Sequence, residues 1–132
     1  MNKDLEKLVQ SAKQTREKAF APFSNFRVGA AIETKSGKIF TGCNIESAAY
    51  SGTACAERVA IWKAVSEGET EFTNLAVVAD TKELTPPCGV CRQIIWEFCG
   101  DISVTFANLE GKSETIQMTQ LLPRAFDAKF LK

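Results

Sequence analysis

Leu5, Leu8, Val9, Ala12 and Ala19 recur at helical spacing while Lys and Glu fill the other face, which predicts an amphipathic helix over residues 4–20. Ala21-Pro22 ends it, because the residue before a proline is pushed out of the α region. A period of two follows. Phe26, Val28, Ala30 and Ile32 alternate with Arg27, Gly29, Ala31 and Glu33, the pattern of a half-buried strand. Turn chemistry at Lys35-Ser36-Gly37-Lys38 and a returning run from Ile39 to Cys43 complete a hairpin. After a loop from Asn44 to Ala54, residues 55–67 read as a helix with little polar circumference, hence a buried one, and Gly68 stops it. Leu75 to Ala79 is a short continuous apolar run, the mark of a strand covered on both faces. Another helix is predicted over residues 89–99, with Gly100 after it. Ile102, Val104 and Phe106 alternate as a strand, Asn108-Leu109-Glu110-Gly111 turns, and Ile116 with Met118 suggests a weaker last strand. The tail, from Leu121-Leu122-Pro123 to Lys132, reads as a short helix and an irregular end.

The resulting order, αββαβαβ(β) with two buried crossovers, implies an α/β fold with a mixed sheet and helices packed on its faces. The 132 residues contain no internal repeat, linker or low-complexity segment, so one domain over residues 1–132 is expected. A chain of this length buries roughly two-thirds of its unfolded surface. Hydrophobic residues make up 45% and charged residues 24%, the balance of a globular chain. Sixteen basic residues offset sixteen acidic ones and no basic run occurs, which argues against a polynucleotide partner. Met1-Asn2-Lys3-Asp4-Leu5-Glu6 lacks the apolar centre of a signal peptide, and no apolar run approaches the roughly 18 residues of a membrane span. The expectation is a cytoplasmic chain whose five cysteines stay reduced and available as ligands.

Histidine is absent altogether. Acid–base chemistry must therefore come from carboxylates, Lys, Tyr or Cys, and any zinc must be held mainly by thiolates. Cys55 opens one predicted helix, and Cys88 and Cys91 open the next. Helix N-termini carry unsatisfied N–H groups and the positive end of the dipole, which favour thiolate over thiol. Converging there, the three sulfurs predict a zinc site with an open fourth position. A closed site needs another ligand. Cys99 is too far, about 12 Å along the helix from Cys91. Cys43 stays open as that ligand on spacing alone, and a redox pair at Cys88 and Cys91 is the other competing reading. Glu57, two residues from Cys55, either serves the helix dipole or carries protons, since zinc lowers the pKa of a water it holds toward ~7 and a carboxylate then shuttles the proton. Three thiolates on Zn²⁺ leave one negative charge, which a guanidinium donating to sulfur offsets; Arg58 is the candidate, while Arg92 reads as a surface or ion-pair residue.

Cys55-Ala56-Glu57 followed by Pro87-Cys88-x-x-Cys91 resembles the zinc-dependent deaminase signature in its three-cysteine form. The run from Ala21-Pro22-Phe23-Ser24-Asn25-Phe26 to Ala31, then Gly42-Cys43-Asn44-Ile45-Glu46-Ser47-Ala48-Ala49-Tyr50, and Leu121-Leu122-Pro123 extend the likeness over essentially the whole chain. Together they are similar to the cytidine deaminase family of the small, homotetrameric type. The resemblance implies a three-layer α/β/α sandwich around a mixed, mostly five-stranded sheet. It implies one zinc per subunit on Cys55, Cys88 and Cys91, with Glu57 as proton shuttle. Asn44 and Glu46 would hydrogen-bond the ribose 3′-hydroxyl, Phe26 would pack on the pyrimidine, and Ile45 and the backbone of Ala56 would complete the substrate contacts. Tyr50 and Phe126 would close sites of neighbouring subunits. Two positions depart from the family: Pro86, where Ser or Thr is common, and Arg124, where Gly is common before Ala-Phe.

The expected activity is hydrolytic deamination of free cytidine and deoxycytidine to the uridine nucleosides and ammonia, as in pyrimidine salvage. Competing readings are a deaminase of a blasticidin-type nucleoside or of polynucleotide cytosine, and a non-catalytic zinc-stabilised binding or redox protein.

Overall fold

The computed structural model describes residues 1–131; the predicted irregular end includes Lys132, which lies outside them. Asn2 starts the first helix, α1 (Lys3–Arg16), by accepting the Leu5 N–H on its side-chain oxygen at 2.8 Å. Asp4 and Glu6 in the first turn, with Lys13 and Arg16 in the last, complement the helix dipole. The helix stops at Arg16 rather than at residue 20. Phe20 is already extended: its N–H donates to the Asn44 carbonyl at 3.0 Å, and its own carbonyl accepts the Glu46 N–H at 2.8 Å. Pairing with a distant segment, not the proline, ends α1.

The remaining elements are β1 (Val28–Thr34), β2 (Ile39–Cys43), α2 (Ala56–Ser66), β3 (Phe72–Ala79), α3 (Gly89–Cys99), β4 (Ser103–Ala107), β5 (Ser113–Gln117) and α4 (Met118–Leu121). Short 3₁₀ turns occupy Tyr50–Gly52 and Ala128–Leu131. The strands form one mixed sheet in the order β2-β1-β3-β4-β5, in which only β3 and β4 pair in parallel. The expected five-stranded α/β/α arrangement is observed. Helix α1 covers one face over Ala31, Ala76 and Val78, whereas α2, α3 and α4 cover the other over Ile32, Leu75, Val77 and Val104. Among the described residues no helix is long and apolar enough to cross a membrane.

Three expectations are corrected. Strand β1 is covered on both faces, not half-buried, because Ala31 on its second face packs beneath α1. Met118 does not continue the last strand; β5 ends at Gln117 and Met118 opens α4 with its side chain in the core. Helix α2 is not buried all round, since Trp62 and Lys63 face outward.

Two glycines set how close the helices lie. A Cβ on Gly29 of β1 would stand 1.9 Å from the Ala12 carbonyl oxygen of α1. A Cβ on Gly42 of β2 would stand 2.4 Å from the Ala60 nitrogen and 2.6 Å from the Ala56 oxygen of α2. Backbone therefore touches backbone on both faces, and on the second the helix so held begins at the candidate site.

Candidate active site

Strands β2 and β3 each run antiparallel to β1, so they point the same way, and the helices that follow them start at the same end of the sheet. Cys55 is the N-cap of α2 and Cys88 the N-cap of α3, while Cys91 lies in the first turn of α3. Neither N-cap cysteine makes a capping hydrogen bond with its side chain, so neither sulfur is taken up by its own helix N-terminus. The Sγ atoms of Cys55, Cys88 and Cys91 all lie within 4.8 Å of one another, a donor set that suits a thiophilic ion such as zinc. Cys43, at the end of β2, is outside this cluster, and so is Cys99 at the far end of α3. Burial pushes the Cys99 thiol up to about 12. It is therefore protonated at pH 8, and iodoacetamide followed by mass spectrometry should label it at least about tenfold more slowly in the folded protein than after unfolding. Equal labelling rates would contradict that burial.

The cluster is electrostatically prepared. The Cys55 thiolate takes a hydrogen bond from Cys91 and has the Arg58 guanidinium beside it, which together draw it down to about 5 against the cost of burial. Cys91, donor in that bond and fully buried, is pushed up in turn. Cys55 thus favours its thiolate form, and a cation held there would displace the Cys91 proton. Arg58 Nη2 donates to Cys55 Sγ at 3.3 Å, and its guanidinium carbon lies 6.0 Å from the Trp62 ring centroid. Arg92 is half-buried, and among the described residues it forms no ion pair. Its Nε donates to the Pro87 carbonyl and its Nη1 to the Leu121 carbonyl, both at 2.8 Å, which tie the Cys88 segment to the end of α4. Its place two carbonyls deep was invisible in the sequence, because backbone acceptors leave no side-chain signature.

Glu57 sits in the first turn of α2, 5% exposed. Burial raises its carboxyl to about 7, with the Cys55 thiolate adding to the shift and a backbone hydrogen bond opposing it. A group poised there holds or releases a proton near neutrality. Glu57, Cys55 and Cys88 line a cavity of about 330 Å³, and Phe26, Asn44, Glu46 and Ala56 form more of its wall. The period-two alternation groups Phe26 with the buried Ala30 and Ile32, yet its 39% exposure excludes an ordinary core position. Of the predicted substrate-binding residues, Ile45 does not line the cavity: its side chain is exposed, and its backbone exchanges hydrogen bonds with Ala54 at 3.0 Å each way. The loop before α3 contributes Thr85 and Pro86. Thr85 shares a hydroxyl hydrogen bond with Thr81, whose carbonyl accepts from Asn108 Nδ2 at 3.0 Å, anchoring that wall to the β4–β5 turn.

Asn44 and Glu46 are already engaged. Asn44 accepts the Val28 N–H at 2.8 Å and donates to the Phe26 carbonyl at 2.7 Å. Glu46 accepts the N–H groups of Phe23 and Ser24 at 2.9 and 3.1 Å and the Ser24 hydroxyl; the last of these does most to hold its carboxyl below the usual range. Tyr50, 79% exposed, meets Phe23 edge-on at a centroid separation of 6.4 Å beside the cavity mouth. Phe126 is exposed and stacks on Phe130, and its carbonyl accepts from Gln93 at 2.8 Å. Arg124 has φ +53°, the left-handed region that favours glycine.

Two helix N-termini that bring three cysteines together at the edge of a cavity holding a buried carboxyl define a zinc-dependent deaminase site. The chain belongs to the family described as the cytidine and deoxycytidylate deaminase zinc-binding region, whose model matches residues 2–107. It is 51% identical to the cytidine deaminase of Sporosarcina psychrophila, over 97% of this chain and 95% of that protein. Against the cytidine deaminase of Halalkalibacterium halodurans the identity is 48%, over 96% of each. The crystal structure of cytidine deaminase from Burkholderia pseudomallei superposes with a TM-score of 0.89 at 42% identity, covering 96% of this chain and all of that one.

Proposed function

We propose that this chain, acting as a single domain, hydrolyses the amino group from free cytidine and deoxycytidine, giving uridine or deoxyuridine and ammonia. The observation that carries this reading is a cluster of three cysteines, two of which line one nucleoside-sized cavity together with a buried carboxyl. Cys55, Cys88 and Cys91 would hold the zinc. When bound, the ion supplies Lewis-acid activation of water at neutral pH.

The protein's own groups do the rest. Glu57 accepts a proton from the attacking water and passes it to ring N3; it then takes the proton of the new C4 hydroxyl and delivers it to the amine, which leaves as ammonia as the C4–N bond breaks and the C4 carbonyl forms. Because Glu57 is nearly inaccessible to bulk solvent, the proton stays at the site. Phe26 packs on the pyrimidine, the Ala56 backbone contacts the base, and Asn44 with Glu46 takes a sugar hydroxyl. Arg58 balances the thiolate charge.

Among the cavity-lining residues there are carboxylates and cysteines but no Lys or Arg. The described lining residues thus offer a 5′-phosphate no cation. The expected result is that cytidine is consumed, read as loss of ultraviolet absorbance, with kcat/KM at least about 100-fold above that for cytidine 5′-monophosphate. Treatment with a strong chelator should abolish turnover, and zinc should restore it. Zinc-loaded protein that turns over neither cytidine nor deoxycytidine, or that prefers blasticidin S, would overturn the reading.

The assembly we propose is a homotetramer in the cytoplasm, where reducing conditions keep the thiolates available. Support comes from Tyr50, Phe23 and Phe126, large aromatic side chains more than half exposed. Sedimentation equilibrium should give four times the chain mass.

A further inference from the structure

Ser24 follows Phe23 in the turn between α1 and β1, and no catalytic or binding role attaches to it so far. Its hydroxyl donates to Glu46 Oε2. Ser24 Oγ accepts the Phe26 N–H at 3.0 Å. The Phe26 carbonyl in turn accepts from Asn44 Nδ2 at 2.7 Å, and Asn44 and Glu46 are two residues apart on the chain. The three residues read as holding the nucleoside are thus wired into one hydrogen-bonded ring, and Ser24 is the side chain that closes it. Ser24 also lines both the cavity and the adjoining hollow beside Tyr50.

We propose that Ser24 is a positioning residue for the nucleoside sugar, its hydroxyl setting the Glu46 carboxylate in the orientation that receives the ribose 3′-hydroxyl. The inference rests on the reading of Asn44 and Glu46 as sugar-binding residues. Their chemistry is complementary. An ionised carboxylate only accepts, while the Asn44 amide retains a second N–H to donate, so together they satisfy both capacities of one hydroxyl. Orientation then decides affinity. Without the Ser24 hydroxyl, Glu46 remains tied by its other oxygen to the Phe23 and Ser24 N–H groups and pivots about them. Because two of its three bonds survive, the effect is the size of one charge-assisted hydrogen bond, about tenfold, rather than loss of the site.

The test uses zinc-loaded full-length protein and calorimetric titration with uridine, the product, which does not turn over. Ser24→Ala should weaken uridine about tenfold and leave 3′-deoxyuridine unchanged, because that ligand lacks the hydroxyl that Glu46 receives. Ser24→Thr, which keeps the hydroxyl, should restore uridine binding. With cytidine, KM should rise about tenfold while kcat stays within about twofold. Equal weakening of both ligands would mean general loosening of the turn and would overturn the proposal, as would unchanged uridine binding in Ser24→Ala. A wild type that neither binds uridine nor deaminates cytidine overturns the nucleoside reading and this inference with it. That result is distinct from a wild type that binds while the variant binds equally well.

Discussion

Glu57→Gln should lower kcat on cytidine by about 10²–10⁴-fold, the usual range for removing a positioned acid–base group, while the protein keeps one zinc per chain. The amide matches the carboxyl in size, so the cavity keeps its shape, but it neither takes nor delivers a proton. Folding should not suffer. Burial is the largest cause of the raised Glu57 pKa, which means the charged form is costly where it sits, and a neutral amide removes that cost. The melting temperature should therefore equal or exceed that of the wild type. Zinc content by atomic absorption, calorimetric melting and steady-state kinetics check the three parts. A kcat within a few-fold of wild type, with zinc retained, would falsify the role of Glu57 as proton carrier.

Gly42→Ala should cost about 3 kcal/mol of stability, the upper end of overpacking effects, and should reduce kcat/KM and zinc affinity together. Replacing glycine by alanine gains up to about 1 kcal/mol by restricting the unfolded chain. Here that gain loses. The new methyl group would stand 2.4 Å from one backbone atom of α2 and 2.6 Å from another, and backbone does not rotate aside as a side chain does. The first turn of α2 must move away from the sheet, carrying Cys55 and Glu57 with it. Gly89→Ala is the control. That position opens α3 next to Cys88, yet a Cβ there meets nothing within 4 Å, so stability should stay within about 0.5 kcal/mol. Similar melting temperatures for the two variants would show that the β2–α2 approach does not position the site.

Legibility in the sequence followed the physics of each element. Helix α3 was read at its observed limits, because Pro86-Pro87 before it and Gly100 after it are local signals. The end of α1 was misplaced because its cause is long-range: Phe20 is drawn into pairing with Asn44 and Glu46, which no local pattern encodes. The alternation of β1 suggested one wet face, since alanine is too small to announce burial; only the seat of α1 over Ala31 shows that both faces are dry. The same limit applied at Phe26, whose period-two register with Val28 suggested core until the strand proved to begin two residues later.

By itself, then, the sequence determined the ligand chemistry and the class of fold. Cysteine spacing at two predicted helix starts, a chain without histidine, and a carboxylate two residues from a ligand all depend on covalent order and short-range geometry. Tertiary structure alone decided which groups meet. It excluded Cys43 from the cluster, set Arg92 on two backbone carbonyls, turned Ile45 away from the cavity and closed the ring through Ser24. The decisive bonds among these, Arg92 to the Leu121 carbonyl and Ser24 to Glu46, join segments 29 and 22 residues apart in the chain. Spacing along a sequence carries no record of such contacts.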